Sequence, residues 1–467
     1  MQVLVGIDIG TTNIKAIAFN TLGEQQYSIN KKNKIIEYDS KEDFDYAYIE
    51  KTILNMLKEI KNEGFKILSI GISSLAESLV PIFAEDKFIN TMVWYDRRTE
   101  SLKESFINKF NSEKTFYHIT GLKPNYLYSI HKLQWYQKHE PELFNKVDKW
   151  LPLNSFIGYI LTGNMAIDYT MASRTGALNI KEKSWSKEIF DHLPYKKDVF
   201  PELIASGNKL GEVKDEIKDV IGIDYDIPVS LGGHDHICGS FAVIAFKDNY
   251  LLDSMGTAEN ILTIIDKSQL DIESYIKRNV CAGVHVIPDK YYVYKAFDYS
   301  GAVINNIASL FFNKPKEKLN KKDYEKFSKE AENHIKDDIL VELFIEQNEN
   351  NNKFNLKNTN ILNISANTTR GEIFLGAIRY ISNKAKQVIK DLEKTNKEKY
   401  NIIAIGGSTR NNVLMREKQK IINRNIYINQ IDEAVTLGAA LLGGLGAGFY
   451  QDYEDVIKHI NRKAKEI

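Results

Sequence analysis

Asp8-Ile9-Gly10-Thr11-Thr12-Asn13 ends a short apolar run with a carboxylate, a glycine and two hydroxyls. A tight turn there exposes backbone N–H groups, which with the hydroxyls suit phosphate oxygens. Gly10 lets the backbone approach closely. Asp8 could hold a hydrated Mg²⁺, an ion that takes few carboxylates and keeps its waters. The spacing is neither a Walker P-loop nor a dinucleotide fingerprint, and the alternative is an ordinary β-turn. A second group lies in Asn401–Asn412, where a β-prone run ends in Gly406-Gly407-Ser408 before a helical pattern with Val413, Leu414, Ile421 and Ile422 on its apolar side. A glycine pair at a strand-to-helix junction lets a flat ring or a phosphate lie on the backbone at the helix N-terminus; it can equally serve packing alone.

Asp235 stands in SLGGHDHICGSFA, after two glycines and between His234 and His236. At a turn opening a small-residue helix, such a carboxylate could accept a proton from a substrate hydroxyl. The two histidines lack further ligands at metal spacing. Cys238, three residues on, reads as a buried inert thiol, with a redox-sensitive thiol as the alternative. A polar cluster follows another apolar run: Ser73-Ser74-Leu75-Ala76-Glu77, and then Trp94-Tyr95-Asp96-Arg97-Arg98. Carboxylates beside an aromatic ring suit a polyhydroxylated ligand, the carboxylates accepting hydroxyl protons and the ring covering the C–H face. The alternative for Asp96 and Trp94 is a structural Asp–Arg pair beside a core tryptophan.

These groups need elements to hold them. Val3–Ile9 and Ile14–Phe19 read as strands of a hairpin, Tyr46–Lys61 as a helix with Ile49, Ile53, Leu54, Leu57 and Ile60 at a helical period, and Ile67–Ile72 as a strand. Tyr250–Ser254, then Met255-Gly256-Thr257 and Ile261–Ile265, restart the figure of strand, aspartate, Gly-Thr and return strand. Gly10 and Gly256 are 246 residues apart, near half the chain, which suggests two related domains facing a shared cleft. Strands alternating with helices argue for an α/β architecture, and 467 residues exceed one ordinary core. The expected domains are 1–245 and 246–467. The Asn-rich stretch 348–360 and the Lys-rich stretch 313–322 read as solvated loops.

Composition narrows the classes. Hydrophobic residues at 43% and charged residues at 27% exclude wholesale disorder. The 62 basic and 62 acidic side chains cancel, so no global field draws the chain to nucleic acid or an anionic membrane. Two cysteines, Cys238 and Cys281, exclude a disulfide scaffold and suit a reducing compartment. The longest uncharged apolar stretch, Ala434–Tyr450, has 17 residues, five of them glycine. That is short of the roughly 20 that span a bilayer, so it reads as a closely packed buried helix. A soluble, cytoplasmic protein is expected, with no nucleic-acid or membrane partner.

Taken together the motifs resemble the FGGY family of carbohydrate kinases, in the family's order and over nearly the whole chain. GIDIGTTNIKA is similar to its first phosphate hairpin, WYDRR to its segment near the sugar, and Gly158–Ile180 to its middle stretch. GGHDH stands in the place of the catalytic aspartate, SMGTAEN in that of the second phosphate hairpin, IGGSTRNNVLMREKQKII in that of the adenosine motif, and Ile431–Gly443 in that of the closing helix. The resemblance implies a two-domain, actin-like ATPase (ribonuclease H-like) fold with ATP and sugar in the interdomain cleft. It implies Asp235 as general base and Asp8 as the Mg²⁺ aspartate. Thr11, Thr12, Asn13, Gly256, Thr257, Gly301, Gly406, Gly407, Ser408 and Asn411 would meet ATP, and Glu77, Trp94, Asp96 and Asp235 the sugar.

The reaction so implied is transfer of the ATP γ-phosphoryl group to a hydroxyl of a small sugar, polyol or sugar acid, with the specificity of a glycerol kinase, a xylulokinase or a gluconate kinase. An actin-like or chaperone-like ATPase without a sugar substrate is the alternative, and a homodimer is the assembly to consider. Two departures bear on the substrate. Glycerol kinase has Arg before the Glu at position 77, and here stands Ala76. Glu77 is therefore expected to lack a neighbouring guanidinium and to leave room for a four- to seven-carbon substrate. Leu127, five before Lys132, departs from the family's first signature.

Overall fold

Val3, Leu4, Val5 and Ile7 are all buried, the mark of a strand covered on both faces. In the computed structural model, which describes residues 1–39, 41–84, 87–110, 112–244, 249–256, 258–297, 300–335, 341–345, 359–459 and 464–466, that run is strand β1 (Gln2–Ile9). β2 (Asn13–Phe19) returns antiparallel, and β3 (Gln25–Lys32) follows. Helix α1 (Tyr46–Asn62) is N-capped by Asp45 and buries Ile49, Ile53, Leu57 and Ile60. β4 (Lys66–Ser74) then runs parallel to β1. After α2 (Leu153–Thr162) and α3 (Tyr169–Arg174), β5 (Lys209–Glu212) and β6 (Pro228–His234) complete the order β5-β6-β4-β1-β2-β3, with β6 parallel to β4. Helix α4 (Asp235–Ile244) starts directly from β6.

The figure repeats in the second half, as expected. β7 (Tyr250–Met255) pairs antiparallel with β8 (Glu259–Asp266) and parallel with β9 (Asn401–Ile405). Helix α5 (Gly301–Phe312) lies between them in sequence, and α6 (Asn412–Ile422) and β10 (Ile426–Asn429) follow β9, with β10 parallel to it. Residues 348–358 of the Asn-rich stretch lie outside the described residues. Its last two open a short strand, Thr359–Leu362. The Lys-rich stretch is a connector whose last two residues start the helix Lys321–Glu332.

The chain divides into two compact units, each drawing on late segments of the sequence. The first comprises Met1–Phe246, Ile264–Tyr292 and Glu433–Arg462, the second Lys247–Thr263, Val293–Asp432 and Lys463–Ile467. The closing helix, Ala434–Gly446, belongs with the first unit because its backbone lies directly on that unit's sheet and on α4. A Cβ on Gly6 would come within 1.9 Å of Thr436 O, one on Gly71 within 1.7 Å of Ala439 O, and one on Gly438 within 2.1 Å of Cys238 O. Gly438, Gly443, Gly444 and Gly446 of that stretch thus mark close packing, whereas a Cβ on Gly448 would meet nothing within 4 Å, and no helix among the described residues is long and apolar enough to cross a membrane.

Candidate active site

Strand register assembles the first unit's polar groups. Asp8 of β1 is level with Ser73 of β4, and Ser73 with Gly233 of β6. The carboxyl ends of three adjacent parallel strands therefore deliver Asp8–Asn13, Ser74–Glu77 and His234–Asp235, at the edge where open α/β sheets bind ligands.

Asp8 Oδ1 is buried without a hydrogen-bond partner. Burial first, and then the charge of Asp235, push its carboxyl up to about 8, with Lys15 acting in the opposite direction. Lys15 is the cross-strand partner of Asp8 and pairs with Glu433 at 2.7 Å. Sequence reasoning missed both residues, although hairpin register places Lys15 on the same face as Asp8. The turn itself is tied by Gly10 N to Asn13 O at 2.9 Å, and Asn33 holds Gly10 O at 2.7 Å. A carboxyl with an orphaned buried oxygen beside a second acidic group is a donor set that a hard cation would satisfy.

Asp235 is the first residue of α4. Burial opposes its ionisation, but His236, His234, the His236 N–H and Arg174 outweigh it, so the carboxyl lies below its ordinary range. The His236 N–H donates to Oδ1 at 2.6 Å, and His234 Nε2 lies 3.1 Å from the same oxygen. Burial pushes the His234 imidazole down to about 4, so it is neutral at pH 7. The preceding turn needs glycine: Gly233 has φ 119°, and a Cβ there would come within 2.4 Å of Thr170 Oγ1. Thr170 accepts from the His234 N–H at 2.8 Å and donates to the buried Asp168 at 2.5 Å. Asn154 donates to the other oxygen of Asp168 at 2.8 Å.

Glu77 occupies the left-handed region, with φ 68°, uncommon for a residue with a Cβ and a frequent sign of a functional constraint. It does not lack a guanidinium, which corrects the inference from Ala76. Arg174, at the end of α3, donates through Nε to Oε1 at 2.7 Å, with Nη2 at 2.5 Å from the same oxygen. Ser129 Oγ holds the Glu77 carbonyl at 3.1 Å.

Trp94 and Asp96 take different roles. The Trp94 indole donates to Thr11 Oγ1 at 2.9 Å, joining the two motifs that were separate in sequence. Asp96 pairs with Arg98: Oδ1 accepts the Arg98 N–H at 2.8 Å and Oδ2 takes Arg98 Nε and Nη2 at 2.9 and 2.7 Å. The buried Lys132 donates to Trp94 O at 3.0 Å and Leu127 O at 2.6 Å. The bond to residue 127 is to its carbonyl, so the departure at that side chain leaves it intact.

In the second unit the Gly301 N–H donates to Gly256 O at 3.1 Å. Gly406, φ 103°, approaches so closely that a Cβ would come within 2.6 Å of Met255 O, whereas Gly407 faces open space. Asn411 caps α6 through the Leu414 N–H at 3.1 Å, with Ser408 half-buried before it. Gly256, Gly301 and Gly406 are thus brought together. Thr257 lies outside the described residues. Beneath them, Lys418 is fully buried with Nζ 2.5 Å from Asp253 Oδ2 and 2.7 Å from Glu259 Oε1, and Ser300 donates to Glu259 Oε2 at 2.7 Å.

Two α/β units sharing one strand figure define the class, the two-domain actin-like ATPase fold. Residues 3–242 match the FGGY family of carbohydrate kinases, N-terminal domain, and residues 254–447 its C-terminal domain. The chain belongs to that family and is an enzyme, a phosphotransferase with an alcohol group as acceptor and ATP as its family's phosphoryl donor. A xylulose kinase of Staphylococcus epidermidis is 24% identical over 467 residues, 98% of this chain and 90% of that protein. A glycerol kinase of Thermococcus gammatolerans is 25% identical over 474 residues, 97% and 91% of the two. The crystal structure of ligand-bound xylulose kinase from Lactobacillus acidophilus shares the fold, with a TM-score of 0.85 at 22% identity, covering 100% of this chain and 94% of that one.

Proposed function

We propose that this kinase transfers the γ-phosphoryl group of ATP to a hydroxyl of a small sugar or polyol, with Asp235 as general base. One observation carries the reading: an ionised aspartate begins a helix at a parallel-strand end, in the same row as the unpartnered Asp8 and the preorganised Glu77. The acceptor oxygen attacks the γ-phosphorus, the bond to the ADP oxygen breaks, and the hydroxyl proton passes to Asp235. Asp235 must be ionised beforehand, and its carboxyl lies below its ordinary range although burial opposes ionisation. Glu77 accepts from a substrate hydroxyl, and Trp94 spans from the sugar side to Thr11.

Asp8 would hold Mg²⁺ through the ion's waters, and the ion would supply charge neutralisation at the phosphates. Gly10, Thr11, Thr12 and Asn13 bind phosphate on one side. Gly256, Thr257, Gly301, Gly406, Gly407, Ser408 and Asn411 serve the rest of the nucleotide. Asp96 shapes the sugar segment through Arg98 without meeting substrate. ATP as co-substrate favours a cytoplasmic location. Relatives named xylulose kinase and glycerol kinase support a small polyol or ketose as the acceptor. ADP release measured against a panel of ketoses, polyols and sugar acids tests the reading. Release that depends on one acceptor supports it, and release indifferent to every acceptor overturns it.

A further inference from the structure

The guanidinium on Glu77 comes from the stretch Gly158–Ile180, to which the sequence reading gave no site role. Arg174 stands 97 residues after Glu77, and its side chain is 13% exposed against 7% for Glu77. Its position is overdetermined. The guanidinium lies over the Tyr128 ring at 5.4 Å. Asp168 caps the N-terminus of α3 through the N–H groups of Thr170 and Met171 at 3.0 and 3.2 Å. The same Thr170 hydroxyl holds the His234 N–H just before Asp235. One buried network thus fixes both the helix that carries Arg174 and the turn that carries the base.

Resting on the kinase reading above, we propose that Arg174 is a substrate-binding residue that sets specificity. With Glu77 it forms a donor–acceptor pair for two adjacent hydroxyls of the acceptor. One hydroxyl accepts from the guanidinium, and its neighbour donates to the carboxylate. Paired, the two side chains carry no net charge, so the site takes a neutral vicinal diol in preference to a carboxylate. A diol held there fixes which remaining hydroxyl meets Asp235. The acceptor class narrows accordingly to neutral polyols and ketoses with adjacent hydroxyls away from the reacting one, and sugar acids are disfavoured.

Initial-rate kinetics on the full chain, with separate KM values for acceptor and ATP, test this in Arg174→Met, Arg174→Lys and Glu77→Gln. The acceptor is the best neutral compound of the panel, run beside its deoxy analogue at the diol and the corresponding sugar acid. Loss of a charged hydrogen-bond donor predicts kcat/KM for the acceptor lower by about tenfold or more in Arg174→Met. The KM for ATP should stay unchanged, the wild-type preference for the diol over its deoxy analogue should be lost, and Arg174→Lys should recover part of it. A merely structural Arg174 would lower the melting temperature and disturb both KM values without altering that preference, which overturns the proposal. So does a wild type that prefers the sugar acid, a measurement that needs no variant to fold. If Glu77→Gln alters acceptor kinetics while Arg174→Met does not, the Arg174 assignment fails and the site stands. If neither alters them, the sugar site itself is misplaced.

Discussion

At the residue scale, two aspartates differ in what their surroundings ask of them. Asp235 keeps its carboxyl below the ordinary range against the pull of burial, which suits a base. Asp235→Asn keeps its shape and the hydrogen bond from the His236 N–H. We expect kcat lower by about 10²-fold or more, with an unchanged KM for ATP and an unchanged melting temperature; near-normal kcat would remove Asp235 from the chemistry. Asp8 is the opposite case, buried with an unpartnered oxygen and opposed by Asp235. A group held at such a cost should be dispensable for folding. Asp8→Asn is expected to raise the melting temperature of the nucleotide-free protein while abolishing activity at Mg²⁺ concentrations that saturate the wild type. A lower melting temperature would mean that Asp8 is structural. Both aspartates were legible in sequence because their signals are local, a strand followed within a few residues by glycines and hydroxyls. Arg174 was not, since its contact with Glu77 spans 97 residues and the neighbour it replaces, at Ala76, pointed the other way.

At the element scale, the second unit rests its turns on a buried charge cluster. In α6, Leu414, Lys418 and Ile422 share a face at helical spacing, and all three are buried. A lysine in the polar run MREKQK carries no local sign of burial, whereas the strands around it were plain from their apolar runs. Lys418 sits between Asp253 and Glu259. Burial would lower its pKa, but the two carboxylates outweigh that and raise it. Lys418→Met leaves Asp253 and Glu259 buried without their cation and should cost about 3–5 kcal/mol of stability in urea unfolding. Adding Asp253→Asn and Glu259→Gln should recover most of it, and no recovery would mean that shape, not charge, holds α6. A pH dependence follows. Burial, then Asp253, raise the Glu259 pKa above its ordinary value of 4.5, so the folded state keeps a proton that the unfolded chain releases. Stability from this group is complete below the ordinary glutamate range and falls as pH rises, until the folded carboxyl ionises. Between about pH 5 and about pH 7, Glu259→Gln should therefore show a flatter decline than the wild type. An identical slope would leave the proton elsewhere.

At the scale of the whole molecule, the repeated strand figure was legible, whereas the return of Ile264–Tyr292 and Glu433–Arg462 to the first unit was not. Sequence arithmetic puts a boundary midway, because each half opens with the same motif. Packing puts the closing helix on the first unit's sheet, because glycines at 6, 71 and 438 let backbones meet where any side chain would collide. Such a contact leaves no periodic signal that names its partner, since a run of Gly, Ala and Leu is compatible with many surfaces. The consequence concerns folding. A fragment ending at residue 245 keeps every strand of the first sheet but lacks Ile264–Tyr292 and Glu433–Arg462. It therefore exposes the sheet face that the closing helix covers. Gly6 and Gly71 leave a shallow apolar groove there with no side chains of its own to fill it, and uncovered apolar sheet faces associate. We expect the 1–245 fragment, produced alone, to be aggregated or to lack near-ultraviolet circular dichroism while keeping far-ultraviolet signal. Co-production with 246–467 should restore the near-ultraviolet spectrum and sugar-dependent ADP release. A soluble 1–245 fragment with a cooperative thermal transition would show that the first unit closes without its late segments, and that the boundary read from sequence is the one that matters for folding.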